Sequence, residues 1–228
     1  MAVRIVPSII SSDLNNLDTE IKKIESAKAD RIHIDVYPVL LWILEYHALS
    51  KYTIGSFLVD SIQRRTSLPI DLHFMIEVDN QIITKYLYAK CELITIPIEA
   101  SYRPEEVLHI IRKSGAKTGL SINPFTPLDQ VYPFLNKIDS ILFLTTNANY
   151  GGKIYYNQTI DRIREFRKTS KQKGFAGEIG IDGGVNLETV PKMLEAGVTT
   201  FYIGQSFFKG DSEKLVNGIR ELTKTSNN

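Results

Sequence analysis

The segment EIGIDGGVNLETVPKMLEAGVTTFYIGQSFF, residues 178–208, contains the pattern of a strand, a helix and a second strand. Short apolar runs at 178–181 and 200–203 predict the two strands. Gly197, shortly before the second strand, is typical of the residue that ends a helix. Apolar residues recur between the strands at the three- and four-residue spacing of a helix, at Leu187, Val190, Met193 and Leu194. This order is typical of two parallel strands joined by a crossover helix.

The same strand pattern recurs along the whole chain. Runs rich in Ile, Val, Leu, Phe or Thr predict eight strands, at residues 3–7, 31–36, 70–75, 93–98, 117–122, 140–144, 178–181 and 200–203. Most of these runs are nearly continuous in apolar character, as expected for strands covered on both faces. Eight strand-then-helix units of about 28 residues predict an α/β fold, a (β/α)8 TIM barrel, as a single domain over residues 1–228. A doubly wound open sheet is the alternative, but it would leave two sheet edges to protect.

Individual residues predict where several helices begin. Asp13 is the expected N-cap of a first helix that starts at Leu14. Pro104, followed by two glutamates, is expected in the first turn of another helix. A long helix over about 157–173 is predicted from one apolar face, formed by Ile160, Ile163 and Phe166.

Composition excludes several classes of protein. The chain has 27 Lys and Arg against 26 Asp and Glu, without the basic excess of a nucleic-acid binder. The single cysteine, Cys91, excludes an intramolecular disulfide and a Cys-rich zinc module. The longest strongly apolar run, residues 36–44, is about half a membrane span, and the N-terminus lacks a secretory signal pattern. We therefore expect a cytoplasmic protein that binds neither nucleic acid nor membrane.

Polar side chains recur where the predicted strands end, which is the face of a barrel that carries the active site. His33 and Asp35 lie on the second strand, two residues apart and therefore on the same side, and His73 lies on the third. Asp182 follows the seventh strand. Two imidazoles and two carboxylates suit zinc, and also iron(II), manganese or cobalt. Each residue alone could instead be a hydrogen-bonded polar residue of the core.

Glycines follow the last three strands and predict a second kind of site. Backbone amides without side chains can surround a phosphate, and the last loops of a barrel commonly do so. Each glycine could equally serve only a tight turn. The residues concerned are Tyr150, Gly151 and Gly152 after the sixth strand, Gly183 and Gly184 after the seventh, and Gly204 and Gln205 after the eighth.

Taken in order, six motifs resemble the ribulose-phosphate 3-epimerase family, and the resemblance runs from about residue 7 to residue 208. It implies a (β/α)8 barrel that inverts C3 of phosphorylated ketoses, chiefly ribulose 5-phosphate and xylulose 5-phosphate, while close relatives act on allulose 6-phosphate. The motifs are PSIISSD (7–13), HIDV (33–36), DLHFM (71–75), GLSINPFTPL (119–128), NANYGG (147–152) and IDGGVN (181–186).

The resemblance also implies roles for individual residues. It implies one divalent metal ion, zinc in the first place, with ligands His33, Asp35, His73 and Asp182. Asp35 and Asp182 match the acid/base pair. The substrate-binding positions implied are Ser8, His73, Met75, Asn149, Tyr150, Gly151, Gly152, Gly183, Gly184, Gly204 and Gln205.

Two other functions remain open at this stage. Phosphosugar decarboxylases and aldol-type lyases of the same fold need an Asp-x-Lys pair after the third strand, where this chain has Asp71-Leu72-His73. A non-catalytic phosphosugar-binding protein would explain the altered pocket wall, where Tyr37, Pro97 and Leu144 depart from the family's usual residues. Retention of both aspartates favours the epimerase.

An atypical insertion at about 38–52 generates a prediction about substrate preference. It carries LLWIL at 40–44, which helical spacing would spread over more than one face. We expect one face to pack on the barrel and another on a partner subunit or over the site, so that a homo-oligomer forms and the sugar pocket changes. We therefore predict a preference shifted away from ribulose 5-phosphate, measured as kcat/KM against a hexulose 6-phosphate. A value of about 10⁴–10⁸ M⁻¹s⁻¹ for the pentulose, with no turnover of the hexulose, would contradict this expectation.

Overall fold

Eight parallel strands form one sheet in the computed structural model, which describes residues 3–37, 56–146 and 154–225. Hydrogen-bonded neighbours follow the order β1-β8-β7-β6-β5-β4-β3-β2. The strands are β1 Arg4–Pro7, β2 Ile32–Val36, β3 Ile70–Phe74, β4 Leu93–Pro97, β5 Lys117–Ile122, β6 Ser140–Leu144, β7 Glu178–Asp182 and β8 Thr200–Ile203.

The sheet closes between its first and last members. A parallel bridge joins Ser8, directly after β1, to His33 of β2. Below it, the backbone N–H of Asp30 donates to the carbonyl of Ile5 at 2.9 Å. The predicted (β/α)8 barrel is therefore confirmed, and its closure brings the end of β1 against the middle of β2.

Helices cover the outside of the barrel. The α-helices of the described residues are α1 Leu17–Ser26, α2 Ser56–Gln63, α3 Asn80–Thr84, α4 Pro104–Lys113, α5 Tyr156–Gln172, α6 Val190–Ala196, α7 Gln205–Phe208 and α8 Ser212–Thr225. None of them has both the length and the apolar character needed to cross a membrane. Because helices cover the outer face, all five residues of β2, β3, β4 and β6 are buried.

Several helix predictions are confirmed and others are corrected. Gly197 ends α6 with φ 103°, a left-handed conformation that favours glycine, and Pro104 opens α4. Asp13 instead caps a short 3-10 helix at Leu14–Asn16, and the α-helix starts only at Leu17. Leu187 precedes α6 instead of lying on its apolar face, because the turn capped by Asn186 delays the helix to Val190.

The fifth connection departs from the predicted strand-then-helix repeat. Two 3-10 helices, Leu128–Gln130 and Tyr132–Phe134, replace an α-helix between β5 and β6. This stretch contains Pro124, Pro127 and Pro133, and proline lacks the N–H that continues an α-helix. The predicted insertion at about 38–52 lies outside the described residues.

A charged cluster occupies the barrel floor, at the amino ends of the strands. The Arg31 side chain is fully buried, and its guanidinium donates to Glu178 at 2.7 and 2.8 Å and to Glu92 at 2.8 Å. Lys117 donates to the same Glu92 oxygen at 2.9 Å. Burial alone would raise the pKa of Glu92, but these two cations outweigh it and lower the pKa to about 2.

We predict that Glu92 stabilises the fold in a pH-dependent way. Its folded-state pKa lies below the ordinary glutamate value of about 4.3, so its contribution is present above that value and is lost as pH falls towards 2. Glu92→Gln should lower the free energy of unfolding in urea at pH 7 by about 1 kcal/mol or less, because the side chain is partly exposed to water. The loss should be smaller at pH 3.

Glu105→Gln is the matched control, because it removes an exposed pair with Lys137 at 2.7 Å. This control should leave the free energy of unfolding within about 0.5 kcal/mol at both pH values. An equal loss in Glu92→Gln at pH 7 and pH 3 would show that the Glu92 charge makes no such contribution.

Candidate active site

Strands β2 and β3 bring two histidines and two aspartates together inside the barrel. The register pairs His33 with Asp71 and Asp35 with His73. All four side chains are buried. Because side chains alternate along a strand, residues two apart share a face, and hydrogen bonds connect these four on it. That face is the barrel interior, because the Tyr202 hydroxyl of β8 reaches Asp71 there.

Three of the four predicted metal ligands converge on one point. His33 Nε2 and His73 Nδ1 each lie 3.0 Å from the same oxygen, Oδ1 of Asp35. One ligand atom from each of these three residues lies within 4.8 Å of the other two. Two nitrogens and one carboxylate oxygen are a donor set that zinc and other divalent transition metals accept.

The hydrogen-bonding pattern around this cluster fits a cation. Both ring nitrogens of His33 face carboxylate oxygens, because its Nδ1 lies 3.1 Å from Asp71 Oδ1. A neutral imidazole has one lone pair, which would then face an oxygen lone pair unless a proton or metal ion lay between them. His73 Nε2 is buried and has no hydrogen-bond partner. The residues present therefore fit a bound metal ion.

Charge within the cluster determines how His33 and Asp35 titrate. Burial acts to lower the pKa of His33, but Asp35 and Asp71 outweigh it and raise that pKa well above its ordinary value. Burial likewise acts to raise the pKa of Asp35, yet His33 and His73 hold it well below the usual range. Asp35 is thus an ionised carboxylate between two imidazoles.

Asp182, the fourth predicted ligand, comes from a different strand, β7. It ends β7, is half-buried, and does not belong to the three-residue group found among the described residues. Desolvation and the negative charge of Asp35 raise the pKa of Asp182 to about 6, and His33 and His73 offset part of this rise. The site therefore contains two carboxyl groups whose pKa values are displaced in opposite directions.

Two further predicted residues line the same end of the barrel. Ser8 is buried and its hydroxyl donates to Asp35 Oδ2 at 2.8 Å. Met75 packs on a small apolar group inside the barrel, formed by Val6, Leu142, Leu144 and Tyr202. Ser8 therefore lies beside the His33–Asp35–His73 cluster. Met75 lies against the apolar group that contains Tyr202, whose ring contacts His33.

The glycines of the last two loops have geometry that limits substitution. Gly183 and Gly184 have φ of 102° and 70°, and a Cβ on Gly183 would clash with Thr145 Oγ1. A Cβ on Gly204 would lie 2.7 Å from Ser11 Oγ. Gln205 is exposed, and its side-chain oxygen accepts a hydrogen bond from Lys209. Asn149, Tyr150, Gly151 and Gly152 lie outside the described residues.

Three residues of the interior were not among the predicted site residues. Asp71 contacts His33, Tyr202 donates to Asp71 Oδ2 at 2.9 Å, and Arg31 lies 3.5 Å from the same oxygen. Arg31 and Asp71 each precede a predicted ligand by two residues, so the period of the strand could have indicated that they share its face. Tyr202 lies on a distant strand and gives no such signal.

Comparison with known proteins agrees with the motifs. The ribulose-phosphate 3 epimerase family matches residues 4–208. A ribulose-phosphate 3-epimerase of Bacillus subtilis is 31% identical over 96% of this chain and 98% of its own length. One from Escherichia coli is 32% identical over 97% of each chain.

A solved structure of KGPDC from Streptococcus mutans superposes with a TM-score of 0.71 at 12% identity, over 99% of each chain. At that identity the likeness concerns the fold alone. The curated relatives are isomerases, and this chain is an enzyme of that class.

The cluster predicts a metal site that can be measured without an activity assay. Wild-type protein should bind about one zinc ion per chain in competition with a chelating dye. His73→Gln should weaken binding by more than about 100-fold, beyond the loss typical of a residue that only supports a ligand. His109→Gln, on the exposed face of α4, is the matched control and should bind as wild type. Equal zinc affinity in both variants would exclude His73 as a ligand.

Proposed function

Because the chain belongs to the ribulose-phosphate 3-epimerase family, we propose that it inverts C3 of a phosphorylated ketose. Ribulose 5-phosphate and xylulose 5-phosphate are the first candidates, and allulose 6-phosphate is the alternative. The observation that carries the proposal is the convergence of His33, Asp35 and His73 at the barrel mouth where Asp182 ends β7. This arrangement supplies two carboxyl groups beside a set of metal-binding atoms.

The reaction requires two groups that exchange protons with one carbon from opposite sides. Inversion next to a carbonyl removes the C3 proton from one face and returns a proton to the other. Asp35 lies on β2 and Asp182 on β7, and strands β1 and β8 separate them around the barrel. A sugar bound between them would present one face to each carboxyl group. We assign Asp35 and Asp182 as the acid/base pair, each able to act as base in one direction.

A hydrogen beside a ketone is a weak acid, so the carboxylate needs help in removing it. A divalent metal ion at this site would polarise the ketone and stabilise the negative charge that develops on its oxygen. His33, Asp35 and His73 would hold the ion, with Asp182 as the fourth ligand. Ser8 holds Asp35 by its second oxygen at 2.8 Å, so the carboxylate keeps its orientation while it exchanges the proton.

The phosphate end of the substrate would lie against the last loops. Gly183 and Gly184 have positive φ values and no side chains, and Gly204 precedes Gln205 at the start of α7. We propose that these residues, together with Asn149, Tyr150, Gly151 and Gly152, surround the phosphate with backbone amides. Binding energy from this remote group would orient C3 between the two carboxyl groups. Met75 would form an apolar wall near the reacting carbons.

A non-catalytic phosphosugar-binding protein is the second candidate, and it predicts a different result. Solvent deuterium enters C3 of a ketose phosphate only if the protein removes the C3 proton and delivers a deuteron from solvent in its place. Incubation of ribulose 5-phosphate, or of allulose 6-phosphate, in deuterium oxide with the metal-loaded protein therefore tests the proposal by NMR. Binding of the sugar phosphate without exchange of the C3 proton would favour the binding protein.

We predict that Asp35→Asn and Asp182→Asn each lower kcat for epimerisation by at least about 10²–10⁴-fold, because each removes a group that exchanges a proton. The fold should be retained, as measured by circular dichroism and urea unfolding. Asp129→Asn, in an exposed 3-10 helix, makes the same chemical change away from the site and should leave kcat unchanged. Turnover near the wild-type rate in either site variant would show that its aspartate is not part of the pair.

A further inference from the structure

We propose that Asp71 and Tyr202 are positioning residues for His33, and that together they hold its ring so that Nε2 is presented to the metal site. The inference rests on the proposed metal-dependent function. It concerns the side of His33 that faces away from the other ligands, towards the barrel floor. Both residues contact His33, Asp71 at 3.1 Å and Tyr202 with ring centres 4.5 Å apart, and would act through it.

Asp71 has a partner for each of its oxygens. Oδ1 lies 3.1 Å from His33 Nδ1, and Oδ2 accepts the Tyr202 hydroxyl at 2.9 Å, with Arg31 Nη1 at 3.5 Å. The Asp71 side chain is fully buried beside the guanidinium. It meets His33 at Nδ1, which leaves Nε2 facing Asp35 and the proposed metal site.

Tyr202 restrains the His33 ring by contact as well as through Asp71. The two rings meet edge to face with their centres 4.5 Å apart. Space for the tyrosine comes from Gly180 on β7, because a Cβ there would lie 2.7 Å from Tyr202 Cε2. Rotation of His33 away from Asp35 would thus break the hydrogen bond to Asp71 and the contact with Tyr202. These two interactions fix the plane of the His33 ring.

Arg31 extends the arrangement to the barrel floor. Its guanidinium also donates to Glu178 and Glu92. Buried ion pairs typically contribute little more to stability than apolar packing of the same volume. Orientation of a metal ligand accounts for the carboxylate beneath His33, because such ligands commonly bind a carboxylate through their second nitrogen.

The experiment compares zinc affinity in three variants by competition with a chelating dye. Asp71→Asn should weaken zinc binding by about 10–100-fold, the loss typical of a residue that supports a ligand. Tyr202→Phe keeps the ring and removes only the hydroxyl, and it should weaken binding by at least about threefold in the same direction. Glu92→Gln is the matched control, because it changes the same charged row without touching Asp71, and it should bind zinc as wild type.

A second measurement follows the His33 proton directly. In zinc-loaded wild-type protein the Nδ1 proton should exchange slowly with water, and nitrogen-detected NMR should show exchange at least about tenfold faster in Asp71→Asn. If Asp71→Asn does not fold, Tyr202→Phe decides the question with the same two measurements.

The outcomes separate this inference from the proposed function. Zinc binding by wild type with unchanged affinity and exchange in both site variants would overturn the positioning role and leave the metal site intact. Failure of wild type itself to bind zinc would overturn the metal site and, with it, this inference. A loss of affinity equal in Glu92→Gln and Asp71→Asn would also overturn it, since the effect would then come from the charged row as a whole.

Discussion

The rest of the barrel interior depends on one buried cation, the guanidinium of Arg31. It lies just before β2 with no exposed surface, and carboxylates from three other parts of the barrel surround it: Asp71, Glu92 and Glu178. Loss of a fully buried partner such as Asp71 commonly costs about 3–5 kcal/mol, whereas Glu92 and Glu178 are partly exposed to water and contribute less. The acidic residues on β3, before β4 and on β7 are therefore constrained together by a single side chain.

This constraint at the floor determines the charge distribution at the mouth. Asp71 shares its two oxygens between the floor and His33, because Oδ2 lies 3.5 Å from Arg31 and Oδ1 lies 3.1 Å from His33 Nδ1. His33 and His73 then lie on either side of Asp35. Alternation along β2 and β3 explains why this is possible, because every second residue of each strand faces the interior. Floor and mouth are thus one continuous row of polar groups.

Periodicity predicted the fold, and it predicted part of the site. The eight strands follow from continuous apolar runs, and His33, Asp35 and His73 follow from their places near strand ends. The α-helix predicted for the fifth connection was wrong. That prediction used the spacing of strand and helix units, whereas three prolines in this stretch prevent an α-helix. The family motifs supported the same fold and the same residues, while the roles of those residues remain predictions.

What the sequence could not supply is pairing between distant strands. Tyr202 is a residue of an apolar run in the sequence, and only the closed barrel shows that its hydroxyl reaches Asp71. The space for the Tyr202 ring depends on Gly180. In the sequence, Gly180 is only a small residue within a predicted strand, and nothing indicates what faces it. A contact between β8 and β3 has no local signature, since it depends on the diameter of the barrel and on the volumes of facing side chains.

The floor holds its buried cation among carboxylates, whereas the mouth holds a buried imidazole nitrogen without a hydrogen-bond partner. Towards the floor, both oxygens of Asp71 are paired, and the Arg31 guanidinium donates to two further carboxylates. Towards the mouth, His73 Nε2 is buried without a partner, and the pKa of Asp182 is raised to about 6. Leaving a buried polar group unpaired costs roughly 1–3 kcal/mol, and both His73 Nε2 at the mouth and Arg31 Nε at the floor lack a partner. The hydrogen bonds and ion pairs at the floor hold the side chains of the site in one orientation, even where those side chains have no partner at the mouth. Such fixed dipoles can stabilise a charge that develops during a reaction.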